Sequence, residues 1–141
     1  MEEPLEHLRR ARELFEAASR LPGETSLILY AAAAEAAVAA ILSSSSARRS
    51  KRLCTSSTRR LINMAIVELA RLRILDAEKA SMLRRGLQAI RCRRNRLLHP
   101  SVECIRERCE DISPEQARAI VGELISSAEK LLELRGMRSS V

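Results

Sequence analysis

One basic stretch, from Arg91 to Pro100, carries the residue types of this chain that are best suited to chemistry. It reads RCRRNRLLHP and contains His99, the single histidine in the second half of the sequence. The sequence has no Gly-rich phosphate loop, no G-x-S-x-G, no H-E-x-x-H and no acidic metal cluster. Arginine and histidine are therefore the candidates for catalysis, histidine as a proton-transfer group and arginine as a group that stabilises developing negative charge.

Helical spacing indicates how these side chains are arranged. At about 100° per residue, one apolar stripe consists of Leu83, Leu87, Ile90, Leu97 and Leu98. Arg94 falls in the middle of that stripe, so its charge must be paired, or the stripe must open there onto a cleft or a second subunit. Asn95 and His99 are four residues apart and share the neighbouring face with Gln88 and Arg91.

Ordinary structural roles are also open to these residues. Arg94 can run its stem along the edge of the core to reach water, and His99 before Pro100 can be a helix stop. Glu35 is the one charge inside the apolar run LILYAAAAEAAVAAIL. It is most simply a solvent-facing residue; alternatively, it is a buried carboxylate that holds an arginine such as Arg94 in place.

Arg94, Asn95 and His99 spell R-N-x-x-x-H, with a Leu pair before the histidine and Pro100 after it. On a late helix of a small all-helical chain, this pattern resembles the HEPN family of ribonucleases and toxins. The resemblance implies a metal-independent endoribonuclease without a cofactor, the toxin of a toxin–antitoxin pair, whose two motif helices face each other in a homodimer. A nucleotidyltransferase is often the antitoxin partner in that family.

The resemblance also implies roles for individual residues. His99 would take or deliver the proton while a ribose 2′-hydroxyl attacks the neighbouring phosphate. Arg94 would stabilise charge on that phosphate, and Asn95 would orient the histidine or the substrate. RNA would be held by a basic flank of Arg91, Arg93 and Arg96. Because some HEPN domains keep the fold without activity, the alternative is a non-catalytic helical module that binds nucleic acid or a protein partner.

The charge distribution favours a polyanion as the partner. Residues 48–99 sum to +12, whereas the rest of the chain sums to −5. No acidic residue lies between Ala80 and His99, so ion pairs within that helix cannot neutralise its six arginines. The loop before the third helix could also grip a phosphate backbone, through Arg48, Arg49, Lys51 and Arg52.

Length and composition predict a single all-α domain of 141 residues. The apolar share comes almost wholly from Ala, Leu, Ile and Val, which suits an antiparallel, up-and-down bundle of about five helices. No apolar run approaches the roughly 18 to 20 residues of a membrane span, and the acidic, polar amino terminus is unlike a signal peptide. We therefore expect a cytoplasmic protein that does not associate with a membrane.

Periodicity and cap signals predict the bounds of the helices. The five expected helices run from about Pro4 to Arg20, from Glu24 or Thr25 to Leu42, from Ser57 or Thr58 to Leu72, from Ala77 to about His99, and from the start signal at Ser113 to about Arg135. Asp76 is expected to cap the fourth helix, and Gly136 to close the fifth. Residues 43–57 are predicted to be a mobile basic loop, and residues 137–141 a frayed tail.

Four cysteines have no C-x-x-C pair and no regular metal-ligand spacing: Cys54, Cys92, Cys104 and Cys109. We expect small, partly buried thiols. A zinc site formed by the last three with His99 is an alternative, and a Cys104–Cys109 disulfide is plausible in an oxidising or hyperthermophilic setting.

Overall fold

The computed structural model describes residues 3–45, 57–99 and 108–137 of the chain, and these ranges form five packed α-helices without a strand. The helices are α1 (Glu3–Ser19), α2 (Ser26–Ser43), α3 (Thr58–Arg71), α4 (Ala77–Leu98) and α5 (Pro114–Leu134), with a 3-10 turn over Gly23–Thr25 before α2. The predicted all-α bundle is confirmed, and each predicted helix is found within one or two residues of its expected ends.

Local cap chemistry explains where α4 and α5 begin. The Asp76 carboxylate accepts the Lys79 backbone N–H at 2.7 Å, as the sequence predicts. At the start of α5, the Ser113 hydroxyl accepts the Gln116 N–H at 3.1 Å, and the Gln116 side chain accepts the Ser113 N–H at 2.9 Å. This reciprocal capping box satisfies two backbone donors that the first turn would otherwise leave unpaired.

α2 is the central helix and packs against each of the other four. Its small residues let the neighbouring helices approach closely; the buried alanines are Ala31, Ala33, Ala34, Ala36, Ala37 and Ala40. The segment Gly23–Ser43 is long and apolar enough to cross a membrane, contrary to the expectation from the sequence, but 67% of its apolar window is buried within the bundle. Such burial is what the core helix of a soluble bundle shows.

Two ion-pair contacts establish which helix ends meet. Arg93, near the end of α4, pairs with Glu24, just before α2, so α2 and α4 run antiparallel. Arg135, just after α5, reaches Ser44 after α2 and Glu68 in the last turn of α3. The bundle therefore has a His99 end, with the end of α4 and the start of α2, and a Glu68 end, with the ends of α2, α3 and α5.

The apolar stripe predicted for α4 is buried along most of its length. Leu83, Leu87 and Ile90 lie in the core, and Leu97 packs against its edge. Leu98 was predicted to belong to the stripe, but as the last residue of α4 it is 46% exposed.

Candidate active site

Arg94 is ion-paired within its own chain. Its Nη2 donates to Glu35 Oε1 of α2 at 2.9 Å, and the two side chains are 23% and 42% exposed. The Arg94 Nε is buried and has no hydrogen-bond partner among the described residues. The contact is the one anticipated for a supporting carboxylate, although Glu35 is half-exposed rather than buried.

His99 lies directly beyond the last turn of α4 and is exposed. Its backbone N–H donates to the Asn95 carbonyl at 2.9 Å, and its φ of −135° and ψ of 62° end the helix. The helix stop and an accessible imidazole thus occur in the same residue. Asn95 is half-buried one turn earlier, beside Arg94.

Arg91 is not a surface residue. It is 8% exposed, and its Nε donates to Gln88 Oε1 at 2.8 Å. Gln88 is in turn fixed to α3, because its Nε2 donates to the Arg59 carbonyl at 3.0 Å and to Asn63 Oδ1 at 3.2 Å. The prediction that Arg91 holds RNA therefore has to be corrected, since its side chain is buried and its Nε is engaged by Gln88.

The other predicted RNA contacts differ in their surroundings. Arg93 is half-buried and engaged by Glu24, whereas Arg96 is exposed. The four basic residues of the loop before α3 lie outside the described residues: Arg48, Arg49, Lys51 and Arg52. In the described part of the predicted basic flank, Arg96 is therefore the exposed member, and Arg93 is half-buried beside Glu24.

A disulfide joins Cys92 of α4 to Cys109, with a Cα–Cα distance of 5.4 Å. The expectation of free thiols is therefore wrong for Cys92 and Cys109. The pairing also overturns both alternatives, because the Cys109 sulfur is unavailable to Cys104 and neither bonded sulfur is free for zinc. Cys54 and Cys104 lie outside the described residues. Within the described ranges, no group of three or more His, Cys, Asp or Glu side chains could hold a metal ion.

The segment before α5 is held against α4 by a second contact next to the disulfide. Arg85 Nε donates to both carboxylate oxygens of Glu110, at 3.0 and 2.8 Å. Cys109 precedes Glu110, so the same stretch is attached to α4 twice. The disulfide and the ion pair thus hold the segment before α5 against α4.

A buried carboxylate at the Glu68 end was not singled out from the sequence. Glu68 Oε1 accepts Nη2 of Arg71 at 2.6 Å and Nη2 of Arg135 at 2.7 Å, and Arg135 Nη1 also donates to the hydroxyls of Ser44 and Ser45. We call these five residues the Glu68 cluster. Burial alone raises the pKa of Glu68, but the hydrogen bonds and charges of the two arginines together outweigh it, so the pKa lies below its ordinary value.

A signal for Glu68 was present in the sequence. It lies seven residues after Leu61, three after Ala65 and four before Leu72, and so falls on the apolar side of α3. Like Arg94, this glutamate is a charged residue within an apolar helical stripe, a local inconsistency typical of functional or structurally constrained positions.

Comparison of the chain with protein-family models, with curated proteins and with solved structures gives no match. The resemblance to the HEPN family thus depends on Arg94, Asn95 and His99 and on the helical layout.

Proposed function

We propose that this protein is a metal-independent endoribonuclease of HEPN type, the toxin of a toxin–antitoxin pair whose antitoxin is a nucleotidyltransferase. The observation that carries the proposal is the arrangement at the end of α4. An exposed His99 lies one turn beyond Arg94, whose position is fixed by Glu35 at 2.9 Å. A proton-transfer group and an oriented guanidinium thus lie within five residues of each other, at the end of the most basic of the described helices.

The contact with Glu35 leaves Arg94 able to bind phosphate. A guanidinium has five N–H donors; the hydrogen bond to Glu35 uses one and the Nε–H is buried, which leaves three on the two terminal nitrogens. A carboxylate behind the arginine keeps its planar group in one orientation, which is the preorganisation that makes an electrostatic contact effective in a transition state. Asn95 would orient the imidazole or the substrate from the preceding turn.

A homodimer would complete the site. Each copy supplies one His99 and one Arg94, and two copies facing each other would put four such groups around one RNA strand. Leu98 and Leu21 are large apolar residues left exposed at the His99 end, and they give a second copy apolar surface to cover. The charge of Arg94 is not itself a reason for a dimer, because Glu35 pairs it within one chain.

Cleavage assays with single-stranded RNA test this proposal. We expect cleavage in the presence of EDTA, 2′,3′-cyclic phosphate ends on the products, and no cleavage of the corresponding DNA, because the attacking group is the ribose hydroxyl. Light scattering at micromolar concentration should give the mass of a dimer. Loss of cleavage in EDTA, or products with 3′-hydroxyl ends, would contradict the proposed chemistry.

A second function, a non-catalytic binding module, is favoured by a different observation. Arg93 and Arg94 are both paired with glutamates of the same chain, as they would be if they stabilised the bundle. This function predicts no cleavage by the unaltered protein. It also predicts that Arg94→Ala destabilises the fold, whereas the ribonuclease predicts loss of cleavage with the fold retained.

A further inference from the structure

The arginines of the described chain fall into two groups, those with a partner in the bundle and those without one. Most arginines of α4 and the last arginine of α3 have one: Arg71, Arg85, Arg91, Arg93 and Arg94. Arg59 and Arg60, in the first turn of α3, are exposed, and their side chains make no ion pair or hydrogen bond within the described residues. Two adjacent cations are thus left to the solvent.

The surroundings of Arg59 and Arg60 are basic. Residues 57–99 carry eleven Arg or Lys and three Asp or Glu, a net charge of +8, whereas residues 3–45 and 108–137 each sum to −2. From residue 57 to residue 67, α3 has no acidic residue, and its first acidic residue, Glu68, is buried. The bundle is therefore polarised, with its positive potential on the α3–α4 side.

Two arginines in the first turn of a helix are electrostatically unfavourable unless an anion is bound there. The first turn of a helix carries a partial positive charge, so cations there are unfavourable by a few tenths of a kcal/mol or more. α1, α4 and α5 each have an acidic residue in the first turn, and the first turn of α2 is uncharged, whereas that of α3 has two arginines and no acidic residue. A polyanion bound there would be attracted both by the start of the helix and by the two arginines, so the local electrostatic interaction would become favourable.

The contact between α3 and α4 relates the arginine pair to His99. Gln88 of α4 donates to the Arg59 carbonyl, so Arg59 lies level with Gln88. His99 is eleven residues further along α4, which corresponds to about 16 Å at 1.5 Å per residue. α3 and α4 run antiparallel, so α3 begins on the side of the bundle where α4 ends. A single strand that crosses Arg59 and Arg60 needs a few nucleotides to reach the imidazole.

We propose that Arg59 and Arg60 bind the phosphate backbone of single-stranded RNA and direct the strand toward His99. The inference rests on the proposed function for its ligand, and it names a binding surface separate from the residues of the R-N-x-x-x-H motif. Contact with the backbone is sequence-independent, and the shortage of aromatic residues in the chain leaves few platforms for base stacking.

Binding measurements in the His99→Ala background test the surface without cleavage of the probe. The probe is a short fluorescent single-stranded RNA of mixed sequence, followed by anisotropy at several salt concentrations. Each lost phosphate contact reduces the slope of log affinity against log salt by about 0.7, so Arg59→Ala with Arg60→Ala should make it shallower by about 1.4 and weaken binding about tenfold at physiological salt. Arg59→Lys with Arg60→Lys keeps the charge and should retain most of the slope.

The matched control is Arg10→Ala with Lys130→Ala. These residues lie on α1 and α5 and are exposed and unpaired within the described chain. Their replacement by alanine removes the same charge as the replacement of Arg59 and Arg60. Their slope should equal that of the parent protein. The proposal is overturned if Arg59→Ala with Arg60→Ala and Arg10→Ala with Lys130→Ala change the slope of log affinity against log salt equally, or if neither pair changes it.

The outcome is separable from the fate of the ribonuclease proposal. If the Arg59 and Arg60 variant loses binding while the unaltered protein cleaves nothing, the binding surface stands and the catalytic proposal fails. If the unaltered protein cleaves RNA and the variant binds and cleaves equally well, the catalytic proposal stands and this surface fails.

Discussion

Replacing Glu68 by glutamine should destabilise the bundle by about 3 kcal/mol, because it removes the charge that Arg135 and Arg71 share. Glu68 is 3% exposed and accepts both guanidinium groups through one carboxylate oxygen. The substitution keeps the size of the side chain and one acceptor oxygen. The predicted loss therefore measures charge rather than volume.

The magnitude follows from the exposure of the two arginines. The Arg71 side chain is 62% exposed and can be solvated when Glu68 is neutral, so that pair contributes about 0–1 kcal/mol. The Arg135 side chain is 21% exposed, and breaking a buried pair costs about 3–5 kcal/mol. Arg135 keeps the hydroxyls of Ser44 and Ser45 as acceptors. The expected loss of unfolding free energy is therefore near the lower end of that range, about 3 kcal/mol.

Urea unfolding followed by circular dichroism at neutral pH gives the free energy of unfolding for each variant. The matched control is Glu129→Gln, which removes the partner of Arg12 at 3.2 Å in a half-exposed pair and should cost less than about 1 kcal/mol. Equal losses for the two variants would refute the argument that burial makes the Glu68 pair the stronger one.

The pH dependence has a defined sign. The pKa of Glu68 is lowered in the folded state, so its contribution is fully present above the ordinary value of 4.5 and is lost as the pH falls toward the folded pKa. The difference in stability between the parent protein and Glu68→Gln should be constant from neutral pH to about pH 5 and shrink below that. A difference that grows on acidification would contradict the assigned pairing.

Three further predictions concern the stability of the bundle. Removing the disulfide with Cys92→Ala and Cys109→Ala should lower the free energy of unfolding by about 3 kcal/mol, the loop-closure value for a sequence separation of 17, and an unchanged denaturation midpoint would contradict it. Gly86→Ala should destabilise the bundle although alanine has the better helix propensity, because the added Cβ would lie 2.8 Å from Ile120 Cδ1 and 2.9 Å from Ile120 Cγ1. In a protein that already carries Ile120→Ala, the same Gly86→Ala substitution should increase the free energy of unfolding instead. Gly136→Ala should cost about 1 kcal/mol in the same assay, because the φ of +74° at the end of α5 disfavours an L side chain.

Sequence reasoning succeeded where the signals are local. The starts of α4 and α5 were predictable because Asp76 and Ser113 cap donors three residues away. The end of α5 was predictable because Gly136 adopts the positive φ that such helix ends need. These interactions need no knowledge of the rest of the chain.

Sequence reasoning failed where a distant element decides the environment. Spacing put Arg91 on the polar face with Asn95 and His99, but helical spacing cannot say which residues become buried, and Arg91 is buried beside Gln88, which is bonded to α3. The Cys92–Cys109 pairing depends in the same way on how the chain returns to α4 after residue 99. The partner of Arg94 was anticipated as one alternative, because Glu35 is the single charge of its apolar run.

The most direct test of the central proposal compares RNA cleavage by His99→Ala with that by His7→Ala. His7 is the other histidine of the chain and lies on α1 beside Glu3, so the two variants lose the same group at different places. Cleavage of single-stranded RNA in EDTA should fall at least a thousandfold for His99→Ala, a loss of about 4 kcal/mol of transition-state stabilisation, and should be unchanged for His7→Ala. Cleavage that survives in purified His99→Ala protein at the parent rate would contradict the assignment of His99 as the proton-transfer group.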